Sequence, residues 1–235
     1  MVIKISLKKT VIFFLCFCVA LTFTVKLCGY AKKETIATFP IKDRTVVIDA
    51  GHGGIDGGAS ANGSLEKNIN LSIAKYLKSY LEQSGAKVVM TRETDKTLGE
   101  NETTVKGKKR ADLKERKRMV NDTAPDVFVS IHQNFFEESK YKGAQVFYET
   151  NNINSFKLAG IVQESLKNNL DKSNERQCAE IAKGKILFRD LKVPSILVEC
   201  GFLSNREEAE LLKTKEYQQK VAYAIFLGIS QYFCQ

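Results

Sequence analysis

Histidine is scarce in this chain: there are two copies, His52 and His132, in 235 residues. Any metal or acid–base site that uses imidazole must draw on that pair alone. Cysteine is sparse as well. Six in a chain of this length make no disulfide scaffold, and no two of them have CxxC spacing. Cys178, Cys200 and Cys234 are isolated and are expected to be mostly buried thiols, which sets aside a zinc–thiolate cluster. No hydrophobic run is long enough for several membrane spans, so a polytopic transporter is excluded. Internal repeats and low-complexity tracts are absent. What is present, 43% hydrophobic and 27% charged residues, rules out a disordered or collagen-like chain. The length suits one domain with a core and a small appendage.

The positive charge is unevenly placed. Of the formal net charge of +9, +4 lies before residue 32 and +6 within residues 106–118, which leaves −1 for everything else. The N-terminal share comes from Lys4, Lys8, Lys9 and Lys26, around an uncharged run of 15 residues from Val11 to Val25. Lysines followed by such a run form the first two regions of an export signal. A signal peptide or membrane anchor is therefore expected over residues 1–31. Gly29-Tyr30-Ala31 is a weak cleavage site, which favours an uncleaved anchor. Residues 32–44 are polar and read as a linker to a domain over 45–235.

In that domain, strands are expected at 45–48, 87–91, 126–131, 145–148 and 195–198, with a further short one at 186–188. Helices are expected at 66–84, 108–121, 155–169, 205–213 and 215–232. The first helix places Ile73, Leu77 and Leu81 at i, i+4 and i+8 and stops at Gly85. This alternation predicts a single α/β domain with a central mixed, mostly parallel sheet flanked by helices.

In such sheets, sites form beyond the C-terminal ends of the strands. The first strand leads into His52, the third into His132, and the last into Glu199. Glu66 opens the helix after the glycine-rich loop GHGGIDGG (51–58). Two imidazoles and a carboxylate suit a catalytic zinc ion, which keeps one position for water. Glu199 fits as the carboxylate that moves protons, and Asp49 and Asp56 flank His52 and could orient its ring. Other readings exist for each residue alone. A histidine at a strand end can be structural, and a glutamate in a first turn can serve the helix dipole. The glycine loop lacks the GxGxxG and GK[ST] orders of phosphate-binding loops.

At these residues the sequence resembles the zinc-dependent N-acetylmuramoyl-L-alanine amidases of bacterial cell walls, the family often called Amidase_3. The resemblance spans about residues 45–234. It is carried by VVIDAGHGGIDGGA (46–59), LEKNINL (65–71), VVMTRETD (88–95), SIHQN (130–134) and VECGFLSN (198–205). It implies one Zn2+ per chain held by His52, Glu66 and His132, with Glu199 catalytic, and a peptidoglycan substrate. The short N-terminal segment and KGAQVFYE (142–149) are most similar to the sporulation and germination members, which implies a role in the spore cortex, in a step towards muramic lactam. Gln133 and Phe135 depart from the small residues usual in the family after the second histidine. The stretch 134–143 is too short for the occluding helix found in some members.

Export to the cell-wall or spore-cortex space, contact with the membrane through the N-terminal segment, and room for an accessory protein of unknown identity complete the expectation. Another wall-directed zinc hydrolase, a peptidase or deacetylase, and a catalytically silent wall-binding protein are the alternatives. The basic segment KGKKRADLKERKR (106–118) reads as a solvated helix face or a contact for anionic wall polymer, and export leaves no role for nucleic acid.

Overall fold

Strand β1 (Thr45–Ala50) shows how the sequence builds the sheet. Its apolar, β-branched run TVVI favours extended backbone, and alternate side chains point to opposite faces. Val46, Ile48 and Ala50 enter one core; Val47 enters a second, and Asp49 shares its side. The computed structural model describes residues 40–99, 102–182 and 184–235. The expected anchor over 1–31 and most of the linker lie outside them. The last linker residues pack with the domain: Ile41 is fully buried, and the Asp43 amide donates to the Gly85 carbonyl.

The other strands are β2 (Ser60–Ala61), β3 (Ser64–Leu65), β4 (Lys87–Met90), β5 (Val127–Asn134), β6 (Gln145–Tyr148), β7 (Ala179–Glu180) and β8 (Ser195–Phe202). The main sheet has the order β4-β1-β5-β8-β6-β7. β4, β1, β5 and β8 are mutually parallel; β6 runs antiparallel to β8, and β7 parallel to β6. The sheet is mixed and mostly parallel, as expected. β2 and β3 form a separate small hairpin.

Helices α1 (Glu66–Gln83), α3 (Ile153–Asn169) and α5 (Lys215–Tyr232) cover one face of the sheet. Ile73, Leu77 and Leu81 of α1, Leu158 and Val162 of α3, and Val221 and Ile225 of α5 meet the inward residues of β1, β5 and β8 there. Helix α4 (Arg206–Leu212) adds Leu212 at one end. On the other face, Val120 of α2 (Val105–Thr123) joins Phe128, Leu187, Phe188, Leu191 and Leu197.

Several boundaries and one element differ from the expectation. Helix α2 starts at Val105 because Thr104 caps it, accepting from the Gly107 amide. β5 and β8 run on to Asn134 and Phe202, so His132 and Glu199 lie within ladders rather than after them. Residues 186–188 form turns, not a strand. The free side of β6 is already taken by β7, so Leu187 and Phe188 contribute side chains to the second core without pairing their backbone. Among the remaining cysteines, Cys200 is buried, but Cys178 is half-buried and Cys234 exposed, because the latter follows the last helical turn.

Candidate metal centre

The chain leaves β1 towards β4 on one side and later returns through α2 to β5 on the other. A crevice therefore opens at the C-terminal ends of β1 and β5, where α/β sheets place their ligands. Gly51 and His52 follow β1 into it. His132 enters from β5, and Glu199, its direct ladder partner on β8, stands beside it. Asp49, Ser130, His132 and Glu199 share the sheet face opposite the large helical core, by alternation along each strand.

Glu66 opens α1 with no side-chain cap. The loop before it supplies the acceptors instead: the Glu66 amide donates to the Ala59 carbonyl, and the Lys67 amide to that of Gly57. This fold-back buries Glu66 and turns its carboxylate into the crevice. Oε2 accepts from the Ala59 amide at 2.8 Å. Oε1 accepts from the Gln133 amide at 3.1 Å and from Nδ2 of buried Asn70 at 3.3 Å. His132 Nδ1 lies 3.0 Å and His52 Nε2 3.2 Å from the same oxygen. The two imidazoles meet edge to face, with centroids 4.9 Å apart.

Local backbone chemistry makes this convergence possible. A Cβ on Gly51 would collide with the His132 ring, so only glycine allows the ring to lie against β1's end. Gly58, at φ +68°, makes a similar approach to Glu66 and His52 in the left-handed region. His52 itself has φ +62°, an uncommon conformation for a side-chain-bearing residue that costs about 1 kcal/mol or more. Asp56 accepts from its Nδ1 at 2.9 Å.

One donor atom from each of His52, Glu66 and His132 lies within 4.8 Å of the others, so the three could hold one metal ion. Burial raises the acidity cost of charging Glu66, but hydrogen bonds from His132 and His52 outweigh it and hold the carboxyl well below its ordinary range. Glu199 behaves oppositely. Burial, reinforced by the charge of Glu66, pushes its carboxyl up, against the opposing influence of His132. Its Oε2 is sealed from solvent and has no hydrogen-bond partner. A cavity of about 350 Å³ joins His52, Glu66, His132 and Glu199, with Ile55 and Phe135 at its apolar edge. Gln133, in contrast to Phe135, turns inward and bonds Asn70 at 3.1 Å. Residues 135–144 contain no helix.

Asp56 stands where the sequence suggested, against the His52 ring. Asp49 does not: its place on the strand faces it towards α2, and Arg116 claims it at 2.6 Å, with Thr91 and Ser130 donating at 2.7 and 2.5 Å. Arg92 and Arg116 are both almost fully buried and were not anticipated. Arg92 donates to the carbonyls of Ala50 (2.8 Å) and Gly51 (3.0 Å), Arg116 to those of Ala50 and His52 (both 2.8 Å). The sequence did carry a trace of this. Arg116 sits four residues after Asp112 and four before Val120, on the inward face of α2.

Residues 46–231 match the family model described as N-acetylmuramoyl-L-alanine amidase. The germination-specific N-acetylmuramoyl-L-alanine amidase of Bacillus subtilis (strain 168) is 37% identical over 199 residues, covering 84% of this chain and 83% of that protein. N-acetylmuramoyl-L-alanine amidase LytC of the same organism is 35% identical over 196 residues, 83% of this chain and 36% of LytC. Among solved structures, the CwlD amidase from Clostridioides difficile, in complex with the GerS lipoprotein, is similar with a TM-score of 0.79 and 43% identity. That likeness covers 82% of this chain and 99% of the other.

Proposed function

The chain belongs to the N-acetylmuramoyl-L-alanine amidase family, and from that membership we propose a zinc enzyme of the spore cortex in which His52, Glu66 and His132 hold the ion and Glu199 is the acid–base residue. The activity is hydrolysis of the amide between the lactyl group of N-acetylmuramic acid and L-alanine in peptidoglycan. One observation carries the reading of the site: three donors converge within 4.8 Å beside a carboxylate whose buried Oε2 has no partner. Two imidazole nitrogens and one carboxylate oxygen are a donor set that suits zinc and leaves a position open, and no dense carboxylate cluster favours calcium or magnesium.

Bound there, zinc would supply a water of pKa about 7 and polarise the scissile carbonyl. The protein's own part is positional and acid–base. Ala59, Asn70 and Gln133 keep Glu66 facing the crevice, and Asp56 fixes the His52 ring so that Nε2 faces inward. Glu199 Oε2 accepts the proton of the attacking water and returns it to the departing alanine amine. A carboxyl raised by burial suits both duties, since it binds and releases a proton closer to neutral pH. The apolar edge at Ile55 and Phe135 would exclude water around the scissile bond.

The cortex role rests on likeness to the germination-specific amidase and to CwlD. Export, with a signal or anchor over 1–31, rests on the lysines and the apolar run of the sequence. Among the described residues no helix is long and apolar enough to cross a membrane. The relative's GerS complex makes an accessory lipoprotein part of the reading for this chain.

The test is digestion of purified peptidoglycan with product mass spectrometry, alongside elemental analysis of the protein. The wild type should release stem peptides with free N-terminal alanine and contain one zinc per chain. Glu199→Ala should keep the zinc and lose about 10²–10⁴-fold in turnover. Retained turnover would remove Glu199 from its role. New sugar amines or cut peptide bonds would point to a deacetylase or peptidase instead.

A further inference from the structure

Helix α2 carries the basic run 106–118, and its residues at 109, 112 and 116 are spaced i, i+3 and i+7, on one face. Along that face Asp112 and Arg116 are buried, and Lys109, though exposed, reaches across to the site. Lys109 Nζ lies 2.7 Å from Asp56 Oδ1, and the other oxygen of Asp56 holds His52 Nδ1 at 2.9 Å. Two turns on, Arg116 donates to the His52 carbonyl at 2.8 Å and to that of Ala50 at 2.8 Å. Asp112 and Asp49, each 2.6 Å from Arg116, fix the guanidinium. The helix thus grips His52 twice, by its ring through Asp56 and by its backbone through Arg116. The gripped residue is the one at φ +62°, which needs outside support.

We infer that α2 is a positioning element for His52, with Lys109 and Arg116 setting the affinity and geometry of the metal site. The inference rests on the ligand set proposed above. It also reassigns two members of the basic run: Lys109 and Arg116 face the site, while Arg118 makes exposed pairs with Glu115 and Asp122. Groups that bond a ligand directly, as Asp56 and Arg116 bond His52, typically change metal affinity about 10–100-fold, and Lys109 stands one step further out, behind Asp56.

Three variants of the full chain test it, read by chelator competition for cobalt(II) and by the visible absorption of the cobalt protein. Lys109→Met removes the partner of Asp56. Arg110→Met removes the same charge one residue away, at an exposed position. Arg116→Lys keeps the charge beside Asp49 and Asp112 but cannot reach two carbonyls in a fixed fork. Arg116→Lys should weaken cobalt binding about 10–100-fold and Lys109→Met about 3–10-fold, each with an altered spectrum, while Arg110→Met should do neither. Lys109→Met with an unchanged melting curve, and with cobalt affinity and spectrum equal to those of Arg110→Met, would overturn the inference. If Arg116→Lys fails to fold, Lys109→Met alone decides. A wild-type protein that takes up no cobalt would instead refute the metal centre itself.

Discussion

Gly51→Ala adds one methyl group where the structure has no room for it. A Cβ at residue 51 would stand 2.8 Å from His132 Cδ2 and closer still to Cε1 and Nε2. Ordinary carbon contacts are about 3.5–4.0 Å, so the ring must retreat by roughly 1 Å. The ring cannot simply turn away, since Nδ1 is committed to Glu66 Oε1 at 3.0 Å. The backbone at 51 is not in the left-handed region, so the effect is one of collision alone. Overpacking of this sort costs about 1–3 kcal/mol. A misplacement of about 1 Å at a reacting centre can cost about 10²-fold in rate. Gly160→Ala is the control, since a Cβ in α3 there meets nothing within 4 Å and should leave turnover unchanged. Peptidoglycan digestion, zinc content and thermal unfolding should be measured on both. Gly51→Ala with wild-type zinc content and wild-type turnover would refute the close approach of His132 to Gly51.

Other perturbations separate stability from chemistry. Ile73→Ala, in the fully buried centre of α1, should cost about 2–5 kcal/mol in urea unfolding and leave zinc stoichiometry at one. Asn70→Ala removes the donor to Glu66 Oε1 and to the Gly51 carbonyl and should cost about 1–3 kcal/mol, with weaker metal retention under chelator challenge. For Asp49, burial would raise the carboxyl, but Arg116, Ser130, His132 and Thr91 outweigh it and lower it from 3.8 to about 2. Its contribution, about 2 kcal/mol, is therefore present above pH 3.8 and lost as pH falls towards 2. Acid titration of the unfolding free energy should show that slope, and Asp49→Asn should flatten it.

What the sequence made legible was local. The TVVI run of β1, the VFVSI of β5 and the i, i+4, i+8 face of α1 each declare their own structure through a short-range pattern. The glycine loop and the order of His52, Glu66, His132 and Glu199 announced a site at the strand ends, and the first three do meet. The order of the strands was not readable, because β6 enters antiparallel beside β8 through a packing choice made far from its own residues. Arg116 was hidden for a similar reason. A basic residue in a basic run reads as solvated, and its burial is decided by Asp49, 67 residues earlier in the chain. The turns at 186–188 show the converse: three apolar residues suffice for a core contact but not for a ladder.

Ile48 and Asp49 are consecutive, yet they look out on different worlds. One joins the apolar contacts under α1, α3 and α5; the other joins the polar assembly beneath α2. The same division runs through Ile131 and His132 and through Val198 and Glu199. A mutation is thus sorted by the parity of its position along the strand. In β1, change at Val46, Ile48 or Ala50 acts on the helical core, while change at Asp49 acts on the polar assembly around Arg116 and carries a stability cost of its own. The helical side meets the crevice where α1 carries Glu66 and Asn70, so only its deeper core positions, such as Leu77 and Leu81, can change without reaching the site.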